Sequence, residues 1–142
     1  LPTPQLLYGL IACALRGVSV RIIVPAQNNI PLIRWASRTM YPPLLRRGIR
    51  IFESPPPFDH AKVFTVDGKW TCIGSTNWDP RSLRLNFEFD LACFDETLAR
   101  GLNREFDARL APATEMTPAH IESLPLPERF RNGVARLFIP LL

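Results

Sequence analysis

His60 and Lys62 stand two residues apart in His60-Ala-Lys62, within a segment read as a strand over residues 59–66. On a strand their side chains share a face, roughly 6–7 Å apart. Such a pair suits attack on a phosphodiester. Neutral imidazole is a nucleophile at phosphorus, and protonated imidazole is an acid for the leaving oxygen. The lysine neutralises non-bridging oxygens as charge builds in the transition state. A second strand, 69–74, follows the hairpin signal Asp67-Gly68. It returns antiparallel and carries Gly74-Ser75-Thr76-Asn77 back towards His60. There a glycine allows close backbone approach to a phosphate, and Ser75 and Asn77 donate hydrogen bonds to its oxygens.

Two carboxylates need separate treatment. Asp67 lies seven residues from His60 along extended chain, roughly 20 Å or more away, so it reads as a turn former. Glu88 lies in Asn86-Phe-Glu88-Phe-Asp90-Leu, expected as part of a central strand over 86–94. A carboxylate among apolar neighbours needs a partner, and a working histidine needs an acceptor on its other nitrogen. Glu88 is the candidate; the bland alternative is an edge strand with a solvated face. His120 reads as a surface or helix-start residue. No metal-ligand spacing, Ser-His-Asp pattern, Walker loop or dinucleotide fingerprint is present, so neither a metal nor a cofactor is expected.

The elements that must position these groups alternate between helix and strand, which argues an α/β layered domain. Thr3-Pro4 caps a helix whose apolar stripe runs from Leu6 to Leu15, and Gly17 stops it. Val18, Val20, Ile22 and Val24 alternate as a strand ended by Pro25. A helical region over 31–47 ends at Gly48, and residues 49–53 form a short strand. Ser75 to Arg84 reads as loop, and 95–110 as helix. From Pro112 the chain reads as a loop-rich tail. Its closing part, Glu128 to Leu142, is amphipathic, with Phe130, Val134, Leu137 and Phe138 on one face and Arg129, Asn132 and Arg136 on another.

The bulk composition sets limits. The 142 residues suffice for one core, and a hydrophobic content of 46% with 21% charged residues is that of a globular chain rather than a disordered one. A net charge of +4 suits phosphate groups, nucleic acid or an anionic membrane without choosing among them. Cys13, Cys72 and Cys93 each sit in an apolar run and read as buried free thiols. No apolar stretch reaches the ~18 residues of a membrane span. The chain opens on Leu-Pro-Thr-Pro rather than Met, which reads as a cut or incomplete chain.

The pattern His-x-Lys, four residues, Asp, six residues, Gly-Ser-x-Asn resembles the signature of the phospholipase D superfamily. Gly74 to Leu83, Leu85-Asn-Phe-Glu88, Arg16 to Pro25, and Tyr41 followed by Leu-Leu-Arg-Arg-Gly-Ile-Arg-Ile resemble the version in bacterial cardiolipin synthases, as does the closing Arg-Leu-Phe-Ile-Pro-Leu-Leu. The resemblance implies a phospholipase D-like mixed β-sheet sandwiched between α-helices. Residues 1–111 would be one such domain, the second half of a two-domain enzyme, and 112–142 a tail. It implies a phosphatidyltransferase working through a phosphohistidine, with His60 and Lys62 as the catalytic pair. Ser75 and Asn77, with Lys62, would hold phosphate, Glu88 would orient the histidine, and Asp67 would be the third letter of the motif.

The implied partners are a phosphatidylglycerol-like phospholipid, an anionic membrane surface, and a second His/Lys set in cis or from a homodimer partner. The implied location is peripheral, on the cytoplasmic side of the bacterial inner membrane. Only one His/Lys set is present here, so whether His60 attacks or serves as acid/base stays open, and the chain alone is expected to be inactive unless it dimerises. A homodimeric phosphodiesterase acting on nucleic acid is the rival enzyme, though nucleic acid is the less favoured partner. A degenerate binding module is the non-enzymatic rival.

Overall fold

A computed structural model describes residues 2–57 and 59–138. The N-terminal helix α1 (Pro4–Leu15) starts as expected: the Thr3 hydroxyl accepts the Leu6 N–H, and Pro4 occupies the first turn. Strand β1 (Arg21–Pro25) then pairs in parallel with β2 (Arg50–Ser54). Between them the expected 31–47 helix is broken into α2 (Pro31–Arg38) and α3 (Tyr41–Leu45). The reason is chemical, because Pro42 and Pro43 carry no N–H for the carbonyls of Arg38 and Thr39. The α2 end closes instead through the Thr39 N–H and hydroxyl, both on the Ala36 carbonyl.

The strands form two sheets. The first is mixed, in the order β1-β2-β6, where β6 (Thr114–Met116) runs antiparallel to β2 with Ile51 opposite Met116. The second is antiparallel, β3-β4-β5, built from β3 (Lys62–Val66), β4 (Trp70–Gly74) and β5 (Asp90–Phe94). Helix α5 (Glu96–Leu110) packs against β3 and β4 and also reaches β2. Its Asp107 pairs with Arg21 at 2.8 Å, and its Arg109 pairs with Asp59.

The apolar core belongs to the mixed sheet. Tyr41, Leu44, Ile49, Ile51 and Met116 are buried, with Leu7, Leu10, Ile11 and Ala14 of α1 packed over them. Behind them lies an ionic cluster. Glu53, 6% exposed, accepts two hydrogen bonds from Arg38, at 3.0 and 2.6 Å, and one from the Tyr41 hydroxyl at 3.3 Å. Burial, reinforced by the Glu53 charge, pushes the Tyr41 phenol well above its ordinary range.

Several expectations are corrected. Besides the expected closing helix, α7 (Leu126–Leu137), the residues past Pro112 contain β6 and α6 (Pro118–Glu122). The loop after Ser75 holds a short helix, α4 (Pro80–Arg84), capped by Asp79. The apolar run before Phe94 does not make a central strand: β4 is central and β5 is at the edge, with Leu91 56% and Phe94 88% exposed. Cys13 is exposed and Cys72 and Cys93 are half-buried, rather than buried. The closing helix carries its apolar face outward, open to a surface. α7 packs on α2 through Asn132 and Ala135, with Arg131 stacked over Trp35, while Phe130 and Leu137 stand 75% and 76% exposed. The end of the amphipathic segment, residues 139–142, lies outside the described residues.

Candidate active site

The register of the second sheet decides what meets. Lys62 lies opposite Gly74, and Gly74 lies opposite Asp90. His60, two residues before Lys62, Ser75 and Asn77, just past Gly74, and Glu88, two residues before Asp90, therefore project from one end of this sheet. The turn lies at the other end. Asp67 and Gly68 both have positive φ, 52° and 64°, and the Lys69 N–H closes on the Val66 carbonyl. Two consecutive left-handed residues make the hairpin turn that fits strand twist, and aspartate tolerates that region better than most side chains. The structure thus gathers His60, Lys62, Ser75, Asn77 and Glu88 and places Asp67 at the opposite end of β3.

His60 stands just before β3 rather than on it, because the Asp59 carboxylate accepts the Ala61 N–H and bends the chain there. The bend closes the separation expected for an ideal strand. Lys62 Nζ lies 2.5 Å from His60 Nδ1 and 3.0 Å from Nε2, and it donates to the His60 carbonyl at 2.7 Å. Burial holds the Lys62 ammonium below its ordinary pKa, with the Glu88 charge opposing that shift. The pair is one cation shared between an imidazole and a backbone oxygen. An anionic phosphate oxygen is a better acceptor than either and can draw Nζ onto itself.

Glu88 is the best-connected acid of the site. Its Oε2 accepts the Ser75 hydroxyl at 2.5 Å, and its Oε1 accepts Ser82 Oγ at 2.9 Å and Asn86 Nδ2 at 3.2 Å. These bonds hold its pKa below the ordinary value, Ser75 contributing most. Ser75 Oγ in turn accepts the Phe89 N–H at 3.0 Å, and Asp90 accepts the Thr76 N–H at 3.2 Å. Asn77 Nδ2 reaches Ser82 Oγ at 3.4 Å. Gly74 has a packing role between the strands. A Cβ there would collide with the Asp90 side chain and the Phe89 carbonyl, so the glycine lets β4 and β5 close up.

Ser82 and Asp79 also belong to this site, in a segment whose sequence pattern is that of a loop. The available signal was Asp79-Pro80 followed by Ser82, an N-cap and first-turn proline of a helix too short to show periodicity. Among the described residues no group of three or more His, Cys, Asp and Glu side chains could hold a metal ion. His120 sits in the first turn of α6, where it forms a capping box with Thr117.

An α/β scaffold thus presents histidine, lysine, hydroxyl, amide and a restrained carboxylate at one sheet end. Residues 1–110 match the family described as "Cardiolipin synthase, PLD-like domain". The chain is 36% identical over 141 residues to cardiolipin synthase A of Proteus mirabilis, covering 99% of this chain and 29% of that protein. It is 34% identical over 142 residues to cardiolipin synthase of Oceanobacillus iheyensis, covering 100% of this chain and 30% of that protein. In structure it is similar to Nuc, a phospholipase D family member from Salmonella typhimurium. The TM-score is 0.72 at 23% identity, over 82% of this chain and 76% of that one, a likeness of fold. The chain belongs to the phospholipase D-like family of cardiolipin synthase domains, and it spans less than a third of the length of these curated relatives.

Proposed function

We propose that this chain supplies one of the two His/Lys half-sites of a phosphatidyltransferase that moves a phosphatidyl group between phospholipids. The observation carrying this reading is the convergence of His60, Lys62, Ser75 and Asn77 at one end of β3-β4-β5, fixed by the Lys62–Gly74–Asp90 register. In the first step an imidazole nitrogen, from His60 or from the partner half, attacks phosphorus. An N–P bond forms, the P–O bond to the leaving alcohol breaks, and the other histidine gives that oxygen a proton. In the second step that histidine takes a proton from the acceptor alcohol. The new P–O bond forms as the N–P bond breaks. Lys62 and Asn77 hold the non-bridging oxygens, Ser75 joins them when its one proton turns from Glu88 to phosphate, and Glu88 sets the position of Ser75. Asp67 serves as the turn.

Two further features support the partners this reading needs. Phe87, Phe89 and Leu91 are exposed on either side of Glu88 and along the β5 edge, an apolar surface suited to a second half-domain in the same polypeptide or in a dimer. On α7, Leu126, Phe130, Val134 and Leu137 face outward with Arg129 and Arg136 beside them. That arrangement suits peripheral contact with an anionic bilayer, at the cytoplasmic face of the bacterial inner membrane. No helix among the described residues is long and apolar enough to cross a membrane.

The test is transfer from labelled phosphatidylglycerol by the assembled enzyme, with His60→Ala alongside. Formation of a diacyl-phosphatidyl product, lost in the variant, is the expected result. Absence of product from the unaltered enzyme refutes the reading. DNA cleavage by a stable homodimer would instead establish the phosphodiesterase alternative.

A further inference from the structure

We infer that Ser82 is a positioning residue, whose single hydroxyl locks Glu88 and Asn77 into one unit and decides which way round the Asn77 amide faces. This rests on the reading of Asn77 as a phosphate-holding group.

Ser82 is 4% exposed. Its own backbone N–H donates to Asp79 Oδ1 at 2.8 Å, so the cap of α4 fixes where the side chain starts. The hydroxyl has one proton, and Glu88 Oε1 stands 2.9 Å away. An ionised carboxylate accepts more strongly than a neutral amide oxygen, so the proton goes to Glu88. What remains on Ser82 Oγ is acceptor capacity. The Asn77 group that faces it, at 3.4 Å, must therefore be the donor Nδ2 rather than the acceptor Oδ1. One N–H of Asn77 is spent on Ser82, and the amide plane is set. The other N–H is then left in a fixed direction to donate to a phosphate oxygen. If the amide were turned over, a carbonyl oxygen would take the place of that donor and repel the phosphate.

The same hydroxyl also settles the hydrogen-bond pattern on the acid. Ser75 takes Oε2, while Ser82 and Asn86 share Oε1. Asn86, in the bend that follows α4, donates to Glu88 and does not make the link to Asn77. Ser82 is thus the connection through which the orientation of Glu88, itself tied to Ser75, is passed to Asn77. Neither end of the relay touches the other in the hydrogen bonds seen.

The test uses Ser82→Ala, Ser82→Thr and Ser82→Cys in the full chain. The Glu88 carboxyl carbon is titrated by NMR, and the Asn77 side-chain amide signals are followed. Transfer activity is measured in the assembled enzyme. In Ser82→Ala the Glu88 midpoint should rise and the Asn77 amide signals should move, with both restored in Ser82→Thr, which keeps the hydroxyl. Transfer should fall about ten- to a hundredfold, the range for one hydrogen bond to a charged group. The fall should lie in kcat rather than KM, with the threonine variant recovering most of it. Ser82→Cys, similar in size and a weaker donor, takes the place of the alanine variant if that does not fold. An unchanged Glu88 midpoint and unmoved Asn77 signals in a folded variant overturn the inference. So does equal loss in the alanine and threonine variants. Because the titration needs no turnover, an inactive parent enzyme would refute the phosphatidyl transfer reading and leave this test standing.

Discussion

Replacing Asp67 separates a turn residue from a catalyst. Asp67 sits at φ 52° beside Gly68 at φ 64°, past the end of β3 that lies away from Lys62. Five residues of strand at about 3.3 Å each put it roughly 16 Å from Lys62 along the chain. Asparagine tolerates this left-handed conformation, whereas alanine pays the ordinary side-chain penalty of about 1–2 kcal/mol. Asp67→Asn should therefore melt within a degree or two of the parent. Asp67→Ala should lose about 1 kcal/mol, a few degrees for a chain of this size. Both should keep transfer activity per folded molecule within about threefold, whereas loss of an acid or base typically costs 10²–10⁴-fold. Calorimetry alongside initial rates, corrected for the folded fraction, is the assay. A fall of about a hundredfold or more in Asp67→Asn at unchanged stability would refute the geometric reasoning and return Asp67 to the chemistry.

Gly74→Ala should force β4 and β5 apart, since its Cβ meets the Phe89–Asp90 backbone. The cost should reach about 1–3 kcal/mol of stability, as for other overpacked sites, with weaker protection of the Asp90–Phe94 amides from exchange. Glu53→Ala should cost about 3 kcal/mol in urea unfolding, because it strands the half-buried Arg38 charge; Glu53→Ala with Arg38→Met should recover much of that loss. Glu88, Asp90 and Glu115 all have depressed pKa values through hydrogen bonds to Ser75, Thr76 and Arg50 in turn. Their stabilising effect is complete above the ordinary carboxylate range and is lost as pH falls through their lowered values. Melting temperature should be flat from neutral pH to about 5 and drop below that, with a shallower drop in Glu115→Gln. On α7, Phe130→Ser with Leu137→Ser should reduce co-sedimentation with phosphatidylglycerol vesicles while leaving the fold intact, since both side chains are exposed.

The features legible in the sequence are those that local rules govern. Thr3-Pro4, Gly17 and Gly48 announce helix ends through capping and positive φ, and the structure has all three in those roles. Asp67-Gly68 announced the hairpin, and the hairpin register brought His60 and Ser75 to one end. The misses have physical causes. The run from Asn86 to Phe94 is apolar enough for a central strand, yet edge position depends on what pairs beyond it, which no periodicity encodes. The α7 helix was legible as amphipathic, but which face is docked depends on the complementary surface of α2. There Ala135 and Asn132 fit, and the larger apolar side chains stay outside. Ser82 was hidden because α4 is a five-residue helix, shorter than two turns of any periodic signal.

The pairing of β2 with β6 has a consequence for how the site is held. Arg50 and Glu115, joined across this pair, are 65 residues apart in sequence, and every residue of the candidate site lies between them. The reactive segment is therefore one closed excursion of the chain, with its entrance and exit clamped side by side on the mixed sheet. Within the excursion, the contacts among His60, Lys62, Ser75, Ser82 and Glu88 are short in sequence and quick to form. The clamp is the slow, long-range closure, whose entropic cost grows only with the logarithm of loop length. Lengthening the excursion away from its two ends should leave the clamp almost as stable. Deleting the three residues of β6 would release the exit of the excursion, while its entrance stays paired with β1.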